Sequence, residues 1–204
     1  MNSWTGLLSA ALAFSILELD AASVGQFMIS RPIVFGPVMG AVVGQPGLGT
    51  GLGALCELFC LEALPVGGSV PPNASVAGAA ALVLALGAAP VAVELALPAG
   101  LFAGWAHARL EVVLRRGRGA LNALVERRLA EAGPPRLAAL AVGQALRQAA
   151  MTLAVLLLVL MGRGPLRGLW LEAPEFLRAG FGFGLALAPW PAAWALLRSF
   201  RMVS

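Results

Sequence analysis

The sequence predicts an all-α polytopic membrane protein with roughly six or seven hydrophobic segments, including short re-entrant or broken helical hairpins. Of its 204 residues, 59% are hydrophobic and 12% are charged, whereas soluble domains carry about 25% charged residues. The mean hydropathy is +0.86, and a soluble fold of this size would have too little polar surface to cover so much apolar material. The apolar residues fall into stretches at approximately 4–19, 33–64, 74–106, 139–161 and 180–197.

The first stretch, residues 4–19, has the position of a secretory signal peptide but not its features. No basic residue precedes it, and Glu18 and Asp20 stand where a small-residue cleavage site is expected. We therefore predict a membrane helix here. Because a membrane helix needs about 20 apolar residues, the second and third stretches are long enough for two passes each, or for one pass and a re-entrant piece.

The second stretch contains two runs of regularly spaced glycines. Residues 31–53 read RPIVFGPVMGAVVGQPGLGTGLG, and a spacing of four puts small residues on one helical face, where another helix can approach closely. Residues 44–47 (GQPG) interrupt the helical pattern. The sequence therefore predicts a short helical hairpin. The glycines concerned are Gly36, Gly40, Gly44, Gly49 and Gly53.

A second interruption follows at residues 65–73 (PVGGSVPPN), where the prolines lack amide hydrogens and the paired glycines favour non-helical backbone. Irregular backbone at membrane depth is tolerated only where it is buried in protein or lines a water-filled cavity. Broken helices of this kind form substrate sites in transporters. We therefore expect a binding region beside this break.

The central part of the chain is rich in arginine. All fourteen basic residues are Arg, and half of them lie between residues 109 and 136. A basic patch can bind nucleic acid, but this one lies between membrane stretches. The positive-inside rule therefore predicts a cytoplasmic segment, and we expect no nucleic-acid partner.

These patterns predict one integral membrane domain, made of N-terminal helices (1–108), an Arg-rich cytoplasmic connection (109–137) and C-terminal helices (138–204). Over residues 115–136 the sequence pattern predicts an amphipathic helix, which either lies on the membrane surface or packs on a partner subunit. Over residues 162–178 the sequence predicts a second polar link, between the last two apolar stretches. A final helix is expected over residues 180–197, with Trp190 and Trp194 as interfacial anchors.

Glu57 interrupts an otherwise apolar helix. A charged side chain at the bilayer centre costs about 2.5–3.5 kcal/mol on insertion scales, and such residues face the protein interior or a cavity. No basic residue lies three or four positions away, so an ion pair within the helix is excluded. Either Glu57 contacts a substrate, or it reaches the interface or pairs with a distant arginine such as Arg31.

Three further residues have plainer interpretations. Cys56 and Cys60 are four positions apart with no histidine nearby, and we expect them to pack as small hydrophobic side chains. His107 borders the Arg-rich segment and is expected to be a solvated or capping residue at a helix end. We expect no metal site and no cofactor.

Together these motifs resemble the membrane subunit IIC of the mannose/sorbose family of bacterial sugar phosphotransferase systems (PTS). In that family an Arg-Pro pair opens a Gly-spaced hairpin, a G-x-x-x-E-L helix follows, and a turn ending in P-[DN]-A comes next. The corresponding residues here are Arg31-Pro32, Gly53 to Glu57-Leu58, and Val66-Gly67 to Asn73-Ala74, with Glu172 to Glu175 similar to a later Pro-Glu turn.

The resemblance implies a sugar-translocating IIC permease subunit of a PEP-dependent phosphotransferase system, located in the bacterial inner (plasma) membrane. Such a subunit binds a hexose and moves it across the membrane. It pairs with a IID membrane subunit in a trimer-like assembly and works with IIA and IIB phosphocarrier proteins. A phosphohistidine of IIB donates the phosphoryl group, so we expect this chain not to be an enzyme on its own.

The resemblance and the chemistry of sugars together suggest a substrate site. A carboxylate accepts hydrogen bonds from two vicinal hydroxyls, and charge-assisted bonds are the stronger ones. Because the sugar is neutral, we expect its hydroxyls to solvate Glu57 without a buried counter-ion. The predicted substrate-binding residues are Glu57, Asn73, Gln26, Arg31 and Ser30.

The chain also departs from the family pattern, which marks a shortened and diverged member. Where the family has D-x-F-Q-x-H-R-P, residues 25–32 read GQFMISRP, and Asn73 stands where Asp is frequent. The chain ends before the last part of the family's membrane region. Two alternatives therefore stay open: a non-transporting scaffold or sensor that docks PTS proteins, and an unrelated secondary transporter with broken helices.

Overall fold

The computed structural model describes residues 4–21, 27–60, 70–87, 89–130 and 137–201. Within these ranges every regular element is helical, which confirms the predicted all-α class, while the number of membrane segments stays a prediction. The helices are α1 (Trp4–Leu17), α2 (Pro32–Val42), α3 (Pro46–Cys60), α4 (Ala74–Ala85), α5 (Val93–Ala130), α6 (Leu137–Glu172), α7 (Glu175–Leu187) and α8 (Pro189–Arg201), and a 3-10 turn (Glu18–Ala21) directly follows α1.

The helices α2 and α3 form the predicted hairpin. At its turn, Gly44 has a left-handed backbone (φ 76°), which a residue with a Cβ adopts only at a cost. The Gly44 N–H donates to the Ala41 carbonyl at 3.1 Å, and the Gln45 N–H donates to the Gly40 carbonyl at 2.7 Å. These bonds satisfy the last carbonyls of α2, and Pro46 begins α3 directly afterwards.

Glycines bring α2 and α3 into backbone contact. A Cβ at Gly49 would overlap the Gly36 carbonyl oxygen and would lie 2.7 Å from the Gly40 Cα. Only glycine fits at such a separation, and the predicted small-residue face is therefore confirmed as the contact between the two helices. We refer to Gly36, Gly40, Gly49 and Gly53 as the glycine seam.

Helix α4 is the buried centre of the part that the structure describes. All its residues over Ser75–Ala85 are buried, and a helix that is apolar on every side is expected to be enclosed by others. Helix α5 approaches it at Gly104, where a Cβ would lie 2.6 Å from the Asn73 carbonyl oxygen. Helix α2 approaches it at Gly78, where a Cβ would lie 2.8 Å from the Pro32 Cβ.

Helices α5 and α6 are longer than the sequence predicted. At a rise of 1.5 Å per residue, their 38 and 36 residues span about 57 and 54 Å, against about 30 Å for the hydrocarbon core of a bilayer. Residues 115–130 are helical as predicted, but they continue α5 without a break and do not form a separate helix. Residues 131–136 lie outside the described ranges.

Most of the predicted polar link over residues 162–178 is wrong, since residues 175–178 already belong to α7 and residues 162–172 to α6. Residues 162–172 are the last turns of α6, which continues through Pro165 and leaves the helical conformation only at residues 173–174. Within this stretch Arg163 is 5% exposed and donates to the Leu86 carbonyl at 2.7 Å. This packing overrides the low helical propensity of the neighbouring glycines and proline.

The last apolar stretch forms two helices where one was expected. Helix α7 ends at Leu187, and Pro189, a residue suited to the first position of a helix, begins α8. None of the α7 residues is buried. Trp190 and Trp194 are 74% and 63% exposed, so α7 and α8 offer a large apolar surface to their surroundings.

Length and apolarity single out one helix, among the residues described, that is able to cross a membrane. It is Ala138–Glu172, with a mean hydropathy of 1.8 in its most apolar part. Pro32–Val42 and Ala74–Ala85 are shorter apolar helices. A span needs about 20 residues, so helices of this length fit re-entrant or broken segments that pack inside the protein.

We expect Gly49→Ala to destabilise the protein and Gly51→Ala not to. A methyl group at residue 49 would overlap the backbone of α2, whereas a Cβ at Gly51 meets nothing within 4 Å. Overpacking costs about 1–3 kcal/mol, and both substitutions raise helical propensity by up to about 1 kcal/mol. Thermal unfolding in detergent should therefore give a lower melting temperature for Gly49→Ala alone. Equal melting temperatures would contradict a close contact at the seam.

Candidate functional site

A tight turn before α2 presents Arg31. The Asp20 carboxylate, 9% exposed, accepts hydrogen bonds from the backbone N–H groups of Phe27 and Ile29 at 2.7 and 2.8 Å. Between them, Met28 has a positive φ of 62°, which a bulky residue adopts only where the surrounding structure supports it. Asp20 supplies that support and fixes the direction in which the chain enters α2.

Arg31 and Glu57 form an ion pair at the end of the glycine seam. The Arg31 Nε donates to Glu57 Oε1 at 2.6 Å, and a terminal guanidinium nitrogen contacts the same oxygen. Glu57 is 6% exposed, whereas the Arg31 side chain is 40% exposed. The G-x-x-x-E spacing explains the pairing, because Gly53 packs against the Pro32 carbonyl and Glu57 lies one turn later on the same face of α3.

The second carboxylate oxygen of Glu57 has no hydrogen-bond partner among the described residues. This oxygen, Oε2, is buried. A buried acceptor left unpaired costs about 1–3 kcal/mol, and more when it is charged. Both guanidinium contacts are made to Oε1, so Oε2 is the atom of this pair that favours an additional donor.

The prediction that Glu57 has no counter-ion is therefore wrong, and the structure has the alternative in which a distant arginine pairs with it. Helical spacing identifies only partners on the same helix. Arg31 lies 26 residues from Glu57 along the chain, and the fold of the hairpin brings the two side chains together. A carboxylate buried without a cation loses several kcal/mol of hydration, of which the pair recovers a part.

A second polar cluster surrounds the start of α4. Asn73 caps this helix, since its Oδ1 accepts a hydrogen bond from the Val76 N–H at 3.0 Å. That bond fixes which end of the amide is the oxygen. The amide nitrogen therefore faces Glu18 Oε1 at 2.9 Å and His107 Nδ1 at 3.4 Å, and both of its hydrogens are used.

The remaining bonds of this cluster follow from the orientation of Asn73. Because His107 Nδ1 accepts a hydrogen bond, the neutral ring carries its hydrogen on Nε2 and donates to Thr152 Oγ1 at 3.0 Å. The Thr152 hydroxyl then donates to Glu18 Oε2 at 3.2 Å. In this arrangement both oxygens of Glu18 accept hydrogen bonds. We refer to Glu18, Asn73, His107 and Thr152 as the capping network.

The capping network is buried. Glu18 is 2% exposed, and His107 and Thr152 are 0% exposed. Gln148, also buried, lies within hydrogen-bonding reach of Glu18. The expectation that His107 is a solvated or capping residue at a helix end is wrong, because α5 continues to Ala130 and His107 lies in its interior.

Few features of the sequence point to this network, and sequence reasoning did not identify it. Glu18 ends the first apolar stretch, and Thr152 is a polar residue inside a strongly apolar segment. Each of these features is a signal that a buried partner is needed. Neither feature shows which residue the partner is.

The predicted site residues do not form one cluster. Arg31 and Glu57 are in direct contact, and Ser30, which is 1% exposed, directly precedes Arg31. The Asn73 side chain belongs to the capping network. Gln26 lies outside the described residues. The role of these residues in substrate binding stays a prediction.

Two apolar clefts lie elsewhere in the described part of the chain. One, of about 520 Å³, is bordered by α3, α5 and α7, and Glu94 is the one ionisable residue in its lining. The other, of about 340 Å³, lies between α1, α2, α4 and α6. Neither is lined by Arg31, Glu57 or Asn73. Helix packing, and not a deep cleft, therefore positions the polar residues.

We expect a neutral residue at position 57 to compensate for the loss of Arg31. Arg31→Ala leaves a buried, unpaired carboxylate, and it should lower the free energy of unfolding by about 3 kcal/mol. Adding Glu57→Gln removes that charge, so the double variant should be more stable than Arg31→Ala alone. Denaturant unfolding in detergent measures Arg31→Ala, Glu57→Gln and the double variant. Strictly additive effects would mean that the two residues are not coupled.

A comparison with known protein families identifies the relatives of this chain. The family model described as the PTS system sorbose-specific IIC component matches residues 4–188. That range contains the hairpin, the ion pair and the capping network. Comparisons with curated proteins and with solved structures gave no match. Because the family match extends over most of the chain, this protein belongs to the family of sorbose-specific IIC components of the phosphotransferase system.

Proposed function

We propose that this chain is the sugar-translocating IIC subunit of a phosphotransferase complex and that it moves a hexose across the inner membrane, which it spans several times. Membership of the IIC family supports this role. The observation that carries the proposal is the buried Oε2 of Glu57, which has no donor among the described residues. Beside it, the Arg31 side chain is 40% exposed, so part of the guanidinium is open to a ligand.

A hexose suits the chemistry of this ion pair. A sugar hydroxyl is both a donor and an acceptor. After a local movement that uncovers the buried Glu57 Oε2, one hydroxyl can donate to this oxygen while its neighbour accepts from Arg31. Hydrogen bonds to ionised groups are about twice as strong as bonds between neutral groups. The pair is neutral overall, and a neutral ligand therefore leaves no charge without compensation.

The proposed sugar site also includes Ser30, Gln26 and Asn73. Ser30 directly precedes Arg31 in the sequence. The Asn73 Oδ1 accepts one hydrogen bond as the cap of α4, and a carbonyl oxygen has a second lone pair with which to accept another. Asn73 can therefore bind a hydroxyl and remain the cap of its helix.

The proposal extends to the partners of the chain. A IID membrane subunit completes a trimer-like assembly, and IIA and IIB proteins deliver the phosphoryl group, with the donor histidine on IIB. This chain then needs no catalytic residue of its own. In support, its single histidine, His107, is 0% exposed, so a soluble phosphocarrier has no access to that ring.

A second candidate function is a non-transporting scaffold or sensor that docks PTS proteins. It is favoured by Met28 and Ser30, which stand where the family pattern has Gln and His, and by the counter-ion that Glu57 already has. Both features reduce the number of groups that are free to bind a sugar. An unrelated secondary transporter is excluded by the family assignment.

We expect Glu57→Gln to reduce the uptake of radiolabelled hexose by about tenfold or more, because the amide loses the charge-assisted bond to the sugar. Glu94→Gln is the matched control, since it makes the same change in the cleft between α3, α5 and α7, away from the ion pair. Uptake is measured in cells that contain the complete complex. Normal uptake by Glu57→Gln would contradict the role assigned to Glu57.

Purification of the chain from its native membrane should recover its partners. The transport function predicts a IID-like membrane protein and a IIB-like phosphocarrier in the eluate, identified by mass spectrometry. A IIB-like protein without IID, combined with no hexose uptake, would favour the scaffold. Recovery of neither partner would contradict both functions.

A further inference from the structure

We propose that Glu18, His107 and Thr152 are positioning residues of the sugar site, which hold Asn73 and the first turn of α4 in place without touching the sugar. This inference rests on the proposed function, because it takes Asn73 as a residue that binds the hexose. Its support is the burial of the three side chains, the order of their hydrogen bonds and the packing of α4 on the segment that carries Arg31.

One arrangement of hydrogen atoms gives each hydrogen bond of the capping network both a donor and an acceptor. The bond from the Val76 N–H orients the Asn73 amide, and the amide then makes His107 Nδ1 an acceptor. His107 consequently donates to Thr152, which donates to Glu18. A buried network in which each polar group has a partner specifies a single geometry. Removal of one member leaves the next without a partner.

The three positioning residues are buried, and their polar atoms, unlike Glu57 Oε2, already have hydrogen-bond partners. His107 and Thr152 are 0% exposed and Glu18 is 2% exposed, whereas Asn73 is partly exposed. The two oxygens of Glu18 face hydrogen-bond donors, so the cluster does not present the set of oxygen ligands that a hard cation requires. These three residues therefore affect a ligand only by positioning Asn73.

Helix α4 links the capping network to the ion pair. The Asn73 N–H donates to the Gly104 carbonyl of α5 at 3.1 Å, so both the backbone and the side chain of this residue are held. Farther along the same helix, Gly78 packs against Pro32, where an added Cβ would lie 2.8 Å from the proline ring. Pro32 directly follows Arg31. A shift of α4 as a whole would therefore act both on Asn73 and on the segment that carries Arg31.

The test compares Thr152→Val with Thr152→Ser in the full chain. Valine has nearly the shape of threonine but no hydroxyl, so it removes the acceptor of the His107 Nε2–H and one donor to Glu18 Oε2; serine keeps the hydroxyl. We expect Thr152→Val to raise the KM for hexose uptake about tenfold and to change the maximal rate by less than about twofold, and Thr152→Ser to restore the KM. Hydrogen exchange of the amides of residues 74–77 should be faster only in the valine variant.

His107→Gln is a second, independent variant. The glutamine amide can still donate to Thr152, but the Asn73 hydrogen that faces His107 Nδ1 loses its acceptor. We expect the same raised KM and the same faster exchange at the start of α4. If the valine variant does not reach the membrane, this variant decides the question.

Three results would overturn the positioning role. The first is an unchanged KM together with unchanged amide exchange, and the second is a change confined to the maximal rate. The third is an equal rise in KM in the valine and serine variants, which would indicate that packing, and not the hydroxyl, is responsible. If the unmodified protein takes up no hexose, the proposed function fails on its own. In that case, exchange that is faster in Thr152→Val than in Thr152→Ser would still show that the network positions Asn73. Failure of the proposed function and failure of the positioning role are therefore distinguishable.

Discussion

The backbone N–H groups at the start of α4 must be satisfied in a buried environment, and this requirement organises the described part of the protein. The first N–H groups of a helix have no partner within it, and Asn73 accepts one of them. The amide hydrogens of Asn73 need acceptors in turn, and these are Glu18 and His107. At the opposite end of α4, Arg163 donates to the Leu86 carbonyl. Segments that are distant in sequence are thus joined at both ends of one buried helix.

The two polar clusters differ in how completely they are satisfied. Each of the four members of the capping network has hydrogen-bond partners, as is usual for buried polar groups that serve the fold. The pair of Arg31 and Glu57 leaves one buried carboxylate oxygen without a donor among the described residues. That arrangement has a cost that a purely structural ion pair would avoid. Incomplete satisfaction, more than charge, is what distinguishes the ion pair from the capping network.

Features that depend on local chemistry are predictable from the sequence. The turn at residues 44–47, the small-residue face of the hairpin and the helix that carries Glu57 all follow from the rules for glycine, proline and helical spacing. Contacts between distant segments are not encoded in any spacing. Thr152 meets Glu18 across 134 residues, and the partner of Glu57 is 26 residues away. The ends of helices were also not predictable from the sequence. Glycines and a proline around residue 165 are typical of a link between helices, although packing keeps these residues helical.

The glycine seam consists of backbone atoms on both sides. Glycine has no side chain, so the seam itself contributes close packing but no side-chain hydrogen bond. The hydrogen bonds described above for this hairpin lie at its two ends. One is the turn, where Gly44 and Gln45 donate to carbonyls of α2, and the other is the contact of Arg31 with Glu57. A guest molecule that separated those two side chains would leave the turn as the remaining hydrogen-bonded end of the hairpin, with the packing of the seam and of Pro32 on α4 still in place.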